Sequence, residues 1–145
     1  MDRPKNGKPL RRERKDGVSA AAGIFLLILM VLPALATWRL TQIFDSRWIA
    51  GYLAALSLVT YLLYRHDKKR AETDGWRTPE STLHLAELLG GWPAAYFAQR
   101  KLRHKCSKIR YQVVFWLIVA IHEFVSFDFV QGWTQSKKLF ALIAQ

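Results

Sequence analysis

The stretch TPESTLHLAELLGGWPAAYFA, residues 78–98, decides the fold of this chain, because it can form either one helix or two. Thr78 suits the N-cap of a helix, since its hydroxyl can accept a hydrogen bond from a free backbone N–H group. Pro79 suits the first helical position, and the carboxylate of Glu80 is favourable at the positive end of the helix dipole. These residues predict a helix that begins at Pro79.

A break in this helix is predicted at Gly90 and Gly91, which suit a turn or a helix C-cap. Pro93 can then begin a second helix that runs toward Arg103. Each half has about 10 residues and is about 15 Å long, because an α-helix rises 1.5 Å per residue. The pattern therefore predicts helix, break and helix.

Three apolar segments surround this stretch. Val18–Thr37 has 20 residues and Trp48–Tyr64 has 17, and neither contains a charge. Tyr111–Val130 is apolar except for a few polar residues, which are Gln112, His122, Glu123, Ser126 and Asp128. A bilayer core of about 30 Å needs about 20 helical residues. The chain is therefore predicted to be an all-α integral membrane protein with spans near 18–37, 48–64 and 111–130.

The first segment could instead be a cleaved signal peptide, because basic residues precede it and small residues follow Pro33. Its apolar run is longer than the usual core of a signal peptide, and a second span follows at once. We expect Val18–Thr37 to be a retained helix.

The number of spans is three or four, depending on Ser81–Ala98. If this segment enters the membrane and returns, 18 Lys and Arg residues lie on the inner side and 4 on the outer side; if it crosses, the numbers are 14 and 8. The positive-inside rule favours the re-entrant helical hairpin, with the N-terminus in the cytoplasm. A kinked crossing helix stays open, because neighbouring helices can satisfy the backbone groups that a kink frees.

The ends of the chain are polar or weakly apolar. Residues 1–17 hold seven Lys and Arg and predict a disordered basic cytoplasmic tail. Residues 131–145 predict a tail that either lies at the membrane interface or docks a partner, since they are too few to span. The net charge of +11 would suggest nucleic acid in a soluble protein, but beside spans it indicates topology and contact with anionic lipid. The single Cys106 excludes an internal disulfide.

The polar residues between the spans form an ordered set of short motifs: Asp67, Lys68, Ala71, then Gly75, Arg77, Pro79, Glu80, then Gly90, Gly91, and finally Arg103, His104, Lys105. This set, over about residues 55–115, resembles the bacterial membrane family known as domain of unknown function 1294. The chain departs from that pattern at Cys106, where the family has Thr, and at His84 and Glu87, which make the stretch before the glycines more polar.

The resemblance implies a small, multi-pass protein of the bacterial inner membrane. Some members of the family carry a cold-shock domain, which this chain lacks, so nucleic-acid binding does not transfer. The family supplies no activity, cofactor or catalytic residue that could be carried over.

Charged residues near the predicted inner surface form a candidate site, made of Asp67, Lys68, Arg77, Glu80, Arg103, His104 and Lys105. One interpretation is a set of ion pairs that fasten the loops. The other is an anion site for a lipid phosphate or a nucleotide, in which Arg77, Arg103 and Lys105 hold the anion, because Arg recognises phosphate through two parallel hydrogen bonds. The site requires the re-entrant arrangement, which brings the two basic loops to one side.

Polar residues within the apolar segments form a second candidate group, made of His84, Glu87, His122 and Glu123. His84 and Glu87 share one helix face, at a spacing of i and i+3. Together the four residues could form a metal or proton site, but we expect a structural hydrogen bond between helices instead, from His84 to Glu123. No metal or cofactor is expected.

Three functions fit these observations. The leading hypothesis is a non-enzymatic protein that binds anionic lipid headgroups or a partner protein through the inner cluster, and a homo-oligomer is a further possible assembly. The second is an enzyme that acts on a phosphate-containing substrate, with His104 or His66 as the base. The third is an oligomeric transporter or proton pathway through the polar residues of the spans.

Overall fold

The computed structural model describes residues 18–73 and 78–143, and within these ranges its regular structure is entirely helical. Seven α-helices follow one another along the chain. They are α1 (Ala20–Leu29), α2 (Val31–Leu40), α3 (Ser46–Glu72), α4 (Glu80–Ala86), α5 (Trp92–Leu102), α6 (Ile109–Val130) and α7 (Thr134–Ile143), with a π-helical turn at Glu87–Gly91 between α4 and α5. The predicted tail at residues 1–17 lies outside the described residues.

The first apolar segment forms a bent pair of helices. The axes of α1 and α2 meet at 42° on either side of Met30. Pro33 accounts for the bend, because it has no N–H group to bond the carbonyl of Leu29 and its ring crowds that carbonyl. The pair extends to Leu40, three residues beyond the predicted span at 18–37.

Helix α3 is longer than the sequence indicated. It begins at Ser46, where the side chain of Asp45 accepts a hydrogen bond from the N–H of Arg47, and it continues to Glu72. The predicted span ended at Tyr64. The extra two turns consist largely of Arg, Lys, Glu and Ala, which are good helix formers. Its 27 residues make α3 about 40 Å long, longer than a bilayer core.

Helices α4 and α5 fold back on each other, and we call Glu80–Leu102 the helical hairpin. Gly90 forms its tip with φ = 110°, a left-handed conformation that glycine adopts without a steric cost. The ends of the hairpin meet, because Nζ of Lys105 lies 2.7 Å from Oε1 of Glu80. The segment therefore enters and leaves at the same end of the bundle, and the alternative of one kinked crossing helix is wrong.

The hairpin reaches about half-way along α3. Near its tip, the hydroxyl of Tyr52 donates to the carbonyl of Leu89 over 2.8 Å, and Gly91 packs against Thr60. Its open end lies beside Asp67. Leu56, which lies against Gly90, is eleven residues before Asp67, a rise of about 16 Å along α3, as expected for two short half-helices.

The start of the hairpin differs by one residue from the prediction. Pro79 is the N-cap, with extended backbone angles, and the helix begins at Glu80. Thr78 does not cap it with its side chain. Its hydroxyl instead lies 3.4 Å from Nδ1 of His66, and its N–H donates to Asp67. Pro93, as predicted, lies in the first turn of α5.

Among the described residues, α3 and α6 are each long and apolar enough to cross a membrane, and the bent pair α1–α2 makes a third candidate if it counts as one span. Helix α6 nearly coincides with the predicted span at 111–130. Helix α2 packs on α6, and α5 packs on α3. Many large apolar side chains on the outside of these helices are exposed, as expected for helices in contact with lipid tails.

The core is small and rich in aromatic residues. Its buried members are Tyr64, Leu83, Trp92, Ala95, Tyr96, Ala98, Tyr111, Phe115 and Val119. All of them belong to α3, the hairpin or α6, so the hairpin fills the space between the two long helices.

The C-terminal segment forms α7, which is anchored at its start by Asp128. This carboxylate is fully buried and accepts hydrogen bonds from the N–H groups of Gln135 and Ser136, at 2.7 and 3.0 Å. The sequence placed Asp128 near the end of a span but did not reveal this capping role. Large apolar residues of α7 are exposed, which fits the predicted interfacial tail.

Candidate functional site

The open end of the hairpin is closed by an ion-pair cluster, made of Asp67, Glu80, His104, Lys105 and Lys108. Asp67 lies at its centre and is 1% exposed. Its Oδ1 accepts the N–H of Thr78 at 3.1 Å, and its Oδ2 lies 2.8 Å from Nε2 of His104 and 3.3 Å from Nζ of Lys105. A buried carboxylate with three such partners is well compensated.

Glu80 completes the cluster from the first turn of α4. Its Oε1 lies 2.7 Å from Nζ of Lys105 and 2.9 Å from Nζ of Lys108. Partial burial raises the pKa of Glu80, but the hydrogen bonds and charges of the two lysines outweigh that effect and hold its pKa below the ordinary range. Glu80 therefore stays ionised at neutral pH and ties α4 to the loop after α5.

The positive charge of Lys105 is largely neutralised, because its ammonium group pairs with both Asp67 and Glu80 and its side chain is only 10% exposed. The ion-pair interpretation of Asp67, Glu80, His104 and Lys105 thus describes the geometry. Lys68 pairs instead with Glu72 at 3.6 Å. Arg103 ends α5 in the left-handed conformation and is exposed. Arg77 lies outside the described residues, so its part in an anion site stays a prediction.

A buried polar cluster lies deeper, about two turns into the hairpin, around the fully buried Glu87. Its Oε1 accepts hydrogen bonds from the hydroxyls of Tyr64 and, at 2.6 Å, Tyr111. Its Oε2 lies 2.7 Å from Nδ1 of His84. The imidazole of His84 also stacks on the ring of Tyr111, with centroids 4.2 Å apart. One carboxylate therefore joins α3, the hairpin and α6.

A chain of amide side chains connects the buried polar cluster to the surface. Gln99 donates to the hydroxyl of Tyr64 at 3.0 Å, and Gln112 donates to Oε1 of Gln99 at 2.6 Å. Gln112 also lies 3.0 Å from the carbonyl of Lys105. Every polar group of Gln99 is buried, so this chain satisfies groups that would otherwise be costly at this depth.

The sequence indicated only part of the buried polar cluster. The pairing of His84 with Glu87 on one helix face is present, but the expected bond from His84 to Glu123 is wrong. Oε1 of Glu123 is buried without a hydrogen-bond partner, and Nδ1 of His122 lies 2.9 Å from the carbonyl of Ile118. Tyr64, Gln99 and Tyr111 were missed, although each is a polar residue at the edge of an apolar segment.

The hairpin's turn residues have separable roles. Gly90 supplies the left-handed tip, and Gly91 allows close approach to α3, because a Cβ atom there would lie 2.2 Å from Oγ1 of Thr60. Pro79 and Pro93 stand at the starts of the two half-helices. In residues 18–73 and 78–143, no group of three or more His, Cys, Asp or Glu side chains could hold a metal ion.

Exposed cations surround the open end of the hairpin, and we call this end of the bundle the cationic end. Among the described residues it carries ten Lys and Arg, which are Arg65, Lys68, Lys69, Arg70, Arg100, Lys101, Arg103, Lys105, Lys108 and Arg110. Its carboxylates in the same ranges are Asp67, Glu72 and Glu80, and all three already pair with cations. The opposite end carries four basic residues, which are Arg39, Arg47, Lys137 and Lys138.

Fold and site together describe a small helical protein with two or three helices of membrane-spanning character and a hairpin between them. Residues 57–111 match the family model described as "Protein of unknown function (DUF1294)", which confirms the resemblance inferred from the motifs. The matched segment is well under half of the chain, and it contains the helical hairpin together with the end of α3. No curated protein matches the chain, and no solved structure does.

Proposed function

We propose that this is a multi-pass protein of the bacterial inner membrane that binds the headgroups of anionic lipids at its cationic end. One observation carries the proposal. The hairpin returns to the end where it began, so the basic residues before it and those after it lie together on one surface.

The distribution of charge gives the orientation. Ten described basic residues lie at the cationic end and four lie at the other end, which by the positive-inside rule makes the cationic end cytoplasmic. Helix α1 begins at that same end, since Phe25 packs on Trp116 near the start of α6. The N-terminus, with its seven basic residues, is then also cytoplasmic, and α7 lies on the outer surface.

The ion-pair cluster supports headgroup binding indirectly. Asp67 and Glu80 are paired within this cluster and Glu72 is paired with Lys68, so the exposed cations Lys69 and Arg70 have no carboxylate partner among the described residues. Each Lys or Arg near an anionic membrane surface contributes about 1 kcal/mol of attraction. The sequence suggested that Arg77, Arg103 and Lys105 hold the anion. We propose instead that the exposed basic surface as a whole binds it.

The test compares two double variants that remove equal charge. Purified protein in a neutral detergent is titrated with phosphatidylglycerol or phosphatidylcholine, and bound lipid is measured by native mass spectrometry. We expect Lys69→Gln with Arg70→Gln to weaken phosphatidylglycerol binding by roughly thirtyfold at low salt, which corresponds to about 2 kcal/mol. Lys137→Gln with Lys138→Gln, at the opposite end, serves as the control and should bind as the wild type does.

Equal binding by both double variants would contradict the proposal, and so would equal affinity for the two lipids. A soluble acidic protein that competes with phosphatidylglycerol at equal charge would favour a partner protein instead. The hypotheses of an enzyme on a phosphate-containing substrate and of an oligomeric transporter stay predictions.

A further inference from the structure

A groove runs along one face of α6 at the cationic end. It has a volume of about 640 Å³ and is lined by Cys106, Ser107, Ile109, Gln112, Val113, Trp116 and Leu117. The five residues from α6 follow the spacing of one helix face, so they form a continuous strip. From Ile109 to Leu117 this strip is about 12 Å long. The groove contains no residue of the ion-pair cluster, and it shares only Gln112 with the chain of amides that leads to the buried polar cluster.

One end of the groove is formed by Cys106 and Ser107, and a cation lies near the groove behind Trp116. The guanidinium of Arg100 lies 3.3 Å from the centre of the Tyr96 ring and donates to the carbonyl of Tyr96 at 3.4 Å. It has no carboxylate partner among the described residues, and the Tyr96 ring that it covers lies 6.2 Å from the ring of Trp116, which lines the groove. The exposed Ser107 follows Cys106 in the sequence, and both residues line the groove. An unneutralised guanidinium near the groove and the hydroxyl of Ser107 in its lining are groups that suit a phosphate.

The part of the groove farther from Cys106 is apolar, and its tryptophan is fixed by neighbouring rings. Val113 and Leu117 are 54% and 59% exposed, so their side chains are available to a ligand. The indole of Trp116 is fixed between aromatic neighbours, with ring centroids 5.9 Å from Phe25 and 5.3 Å from Phe115. A soluble anion would gain nothing from this apolar strip, whereas the first part of an acyl chain would.

We propose that this groove binds one anionic glycerophospholipid of the cytoplasmic leaflet, with its phosphate at Arg100 and Ser107 and an acyl chain along Val113 and Leu117. The inference rests on the proposed headgroup binding and deepens it. The groove would be a single, saturable lipid site, whereas the rest of the cationic end would attract lipids only through its net charge. The volume is in the range of small-molecule sites, which fits a headgroup and the beginning of its chains.

The decisive variants fill the groove without changing the charge. In Val113→Trp the new indole occupies the apolar strip, while in the matched control Val114→Trp it lies about 100° around α6, because the two positions are adjacent in the helix. We expect wild type and Val114→Trp to retain one phosphatidylglycerol through delipidation in native mass spectrometry. Val113→Trp should bind it at least tenfold more weakly, and so should Arg100→Gln.

A second measurement uses Cys106, the only cysteine of the chain. Burial raises the pKa of this thiol, so maleimide labelling is done near pH 8.5, where more thiolate is present. Added phosphatidylglycerol should slow the labelling of wild type at least fivefold, but not that of Val113→Trp. Equal concentrations of phosphatidylcholine or inorganic phosphate should have little effect on the wild-type rate.

The possible failures are distinguishable. If Val113→Trp and Val114→Trp retain lipid equally, the groove site is wrong, whatever the result for Lys69 and Arg70. If inorganic phosphate slows labelling as strongly as the lipid does, the ligand is a soluble phosphate and the lipid assignment is overturned. If Val113→Trp loses the lipid while Lys69→Gln with Arg70→Gln keeps it, the groove is correct and the wider cationic surface is not needed.

Discussion

At the scale of single residues, Glu87 joins more helices through one buried carboxylate than its place in the sequence indicates. Its carboxylate is fully buried at a depth where the surrounding side chains are mainly aromatic. An isolated charge there would be very costly, but two tyrosine hydroxyls and one imidazole lie within hydrogen-bond distance of its oxygens. The partners come from α3, α4 and α6, so the cost of burying Glu87 is offset only when all three helices are in place.

Glu87→Leu should destabilise the protein by about 3 kcal/mol, because the hydroxyls of Tyr64 and Tyr111 can then bond only each other, which leaves one of them buried without an acceptor. Glu87→Gln should cost about half as much, since its carbonyl can still accept from the tyrosines and His84 can change tautomer. The measurement is thermal unfolding in detergent, followed by far-ultraviolet circular dichroism. Leu88→Ala, at an exposed neighbour, controls for any change in this turn. An equal loss for Glu87→Leu and Leu88→Ala would show that Glu87 does not join the helices.

The sequence predicted the partner of Glu87 within the hairpin but not its partners from α3 and α6. Spacing alone placed His84 and Glu87 on one face, and that pair forms. The partner from α6 was predicted to be Glu123 but is Tyr111, twelve residues earlier. Periodicity shows which residues share a helix face, but not which residue of a neighbouring helix lies at the same level. Here the level is set by the hairpin, which turns back about half-way along α3.

At the scale of elements, the hairpin depends on close contact at its tip. A Cβ atom on Gly91 would lie 2.2 Å from Oγ1 of Thr60 and 2.7 Å from the carbonyl oxygen of Ala86. The second contact is with backbone, which cannot rotate away as a side chain can. The π-helical turn therefore tolerates only glycine at this position, and such turns inside α-helices are often found at functional sites.

Gly91→Ala should lower the free energy of unfolding by about 2–3 kcal/mol, in the range found when extra atoms are forced into a packed core. Gly51→Ala is the matched control, because Gly51 lies in the second turn of α3, where a Cβ meets open space, and alanine favours a helix by up to about 1 kcal/mol. Chemical denaturation in mixed micelles compares the two. Adding Thr60→Ala to Gly91→Ala should recover only part of the loss, since the clash with Ala86 remains. No loss in Gly91→Ala would mean that the tip of the hairpin is looser than the contacts indicate.

The elements themselves were largely predictable. The two glycines and Pro93 predicted the break, and the apolar segments predicted α3 and α6. The end of α3 was not predicted, because hydrophobicity stops at Tyr64 while the helix continues. What holds its last turns is tertiary: Asp67 lies on their inner face and bonds the loops on both sides of the hairpin. Local sequence contains no signal for such contacts.

At the scale of the whole molecule, the hairpin determines which surfaces share a compartment. If the protein lies in a membrane as proposed and the bent pair α1–α2 is one span, the chain would cross that membrane three times, and the hairpin would not add a crossing. The two basic stretches around the hairpin then lie on one side, with Cys106 among them, while the turn between α6 and α7 lies on the other side. A fourth crossing would instead separate Arg65–Arg70 from Lys101–Arg110.

This topology predicts a pattern of cysteine labelling in intact cells and inverted vesicles. Cys106, near the cationic end, should react with a membrane-impermeant maleimide only in inverted vesicles, because the proposed orientation places this end in the cytoplasm. In the Cys106→Ser background, Gln131→Cys, in the exposed turn after α6, should react only in intact cells. Lys69→Cys in the same background should behave as Cys106 does, since the hairpin returns both to one side. Labelling of Lys69→Cys and Cys106 from opposite sides would contradict the re-entrant hairpin, and it would also remove the shared cationic surface on which headgroup binding depends.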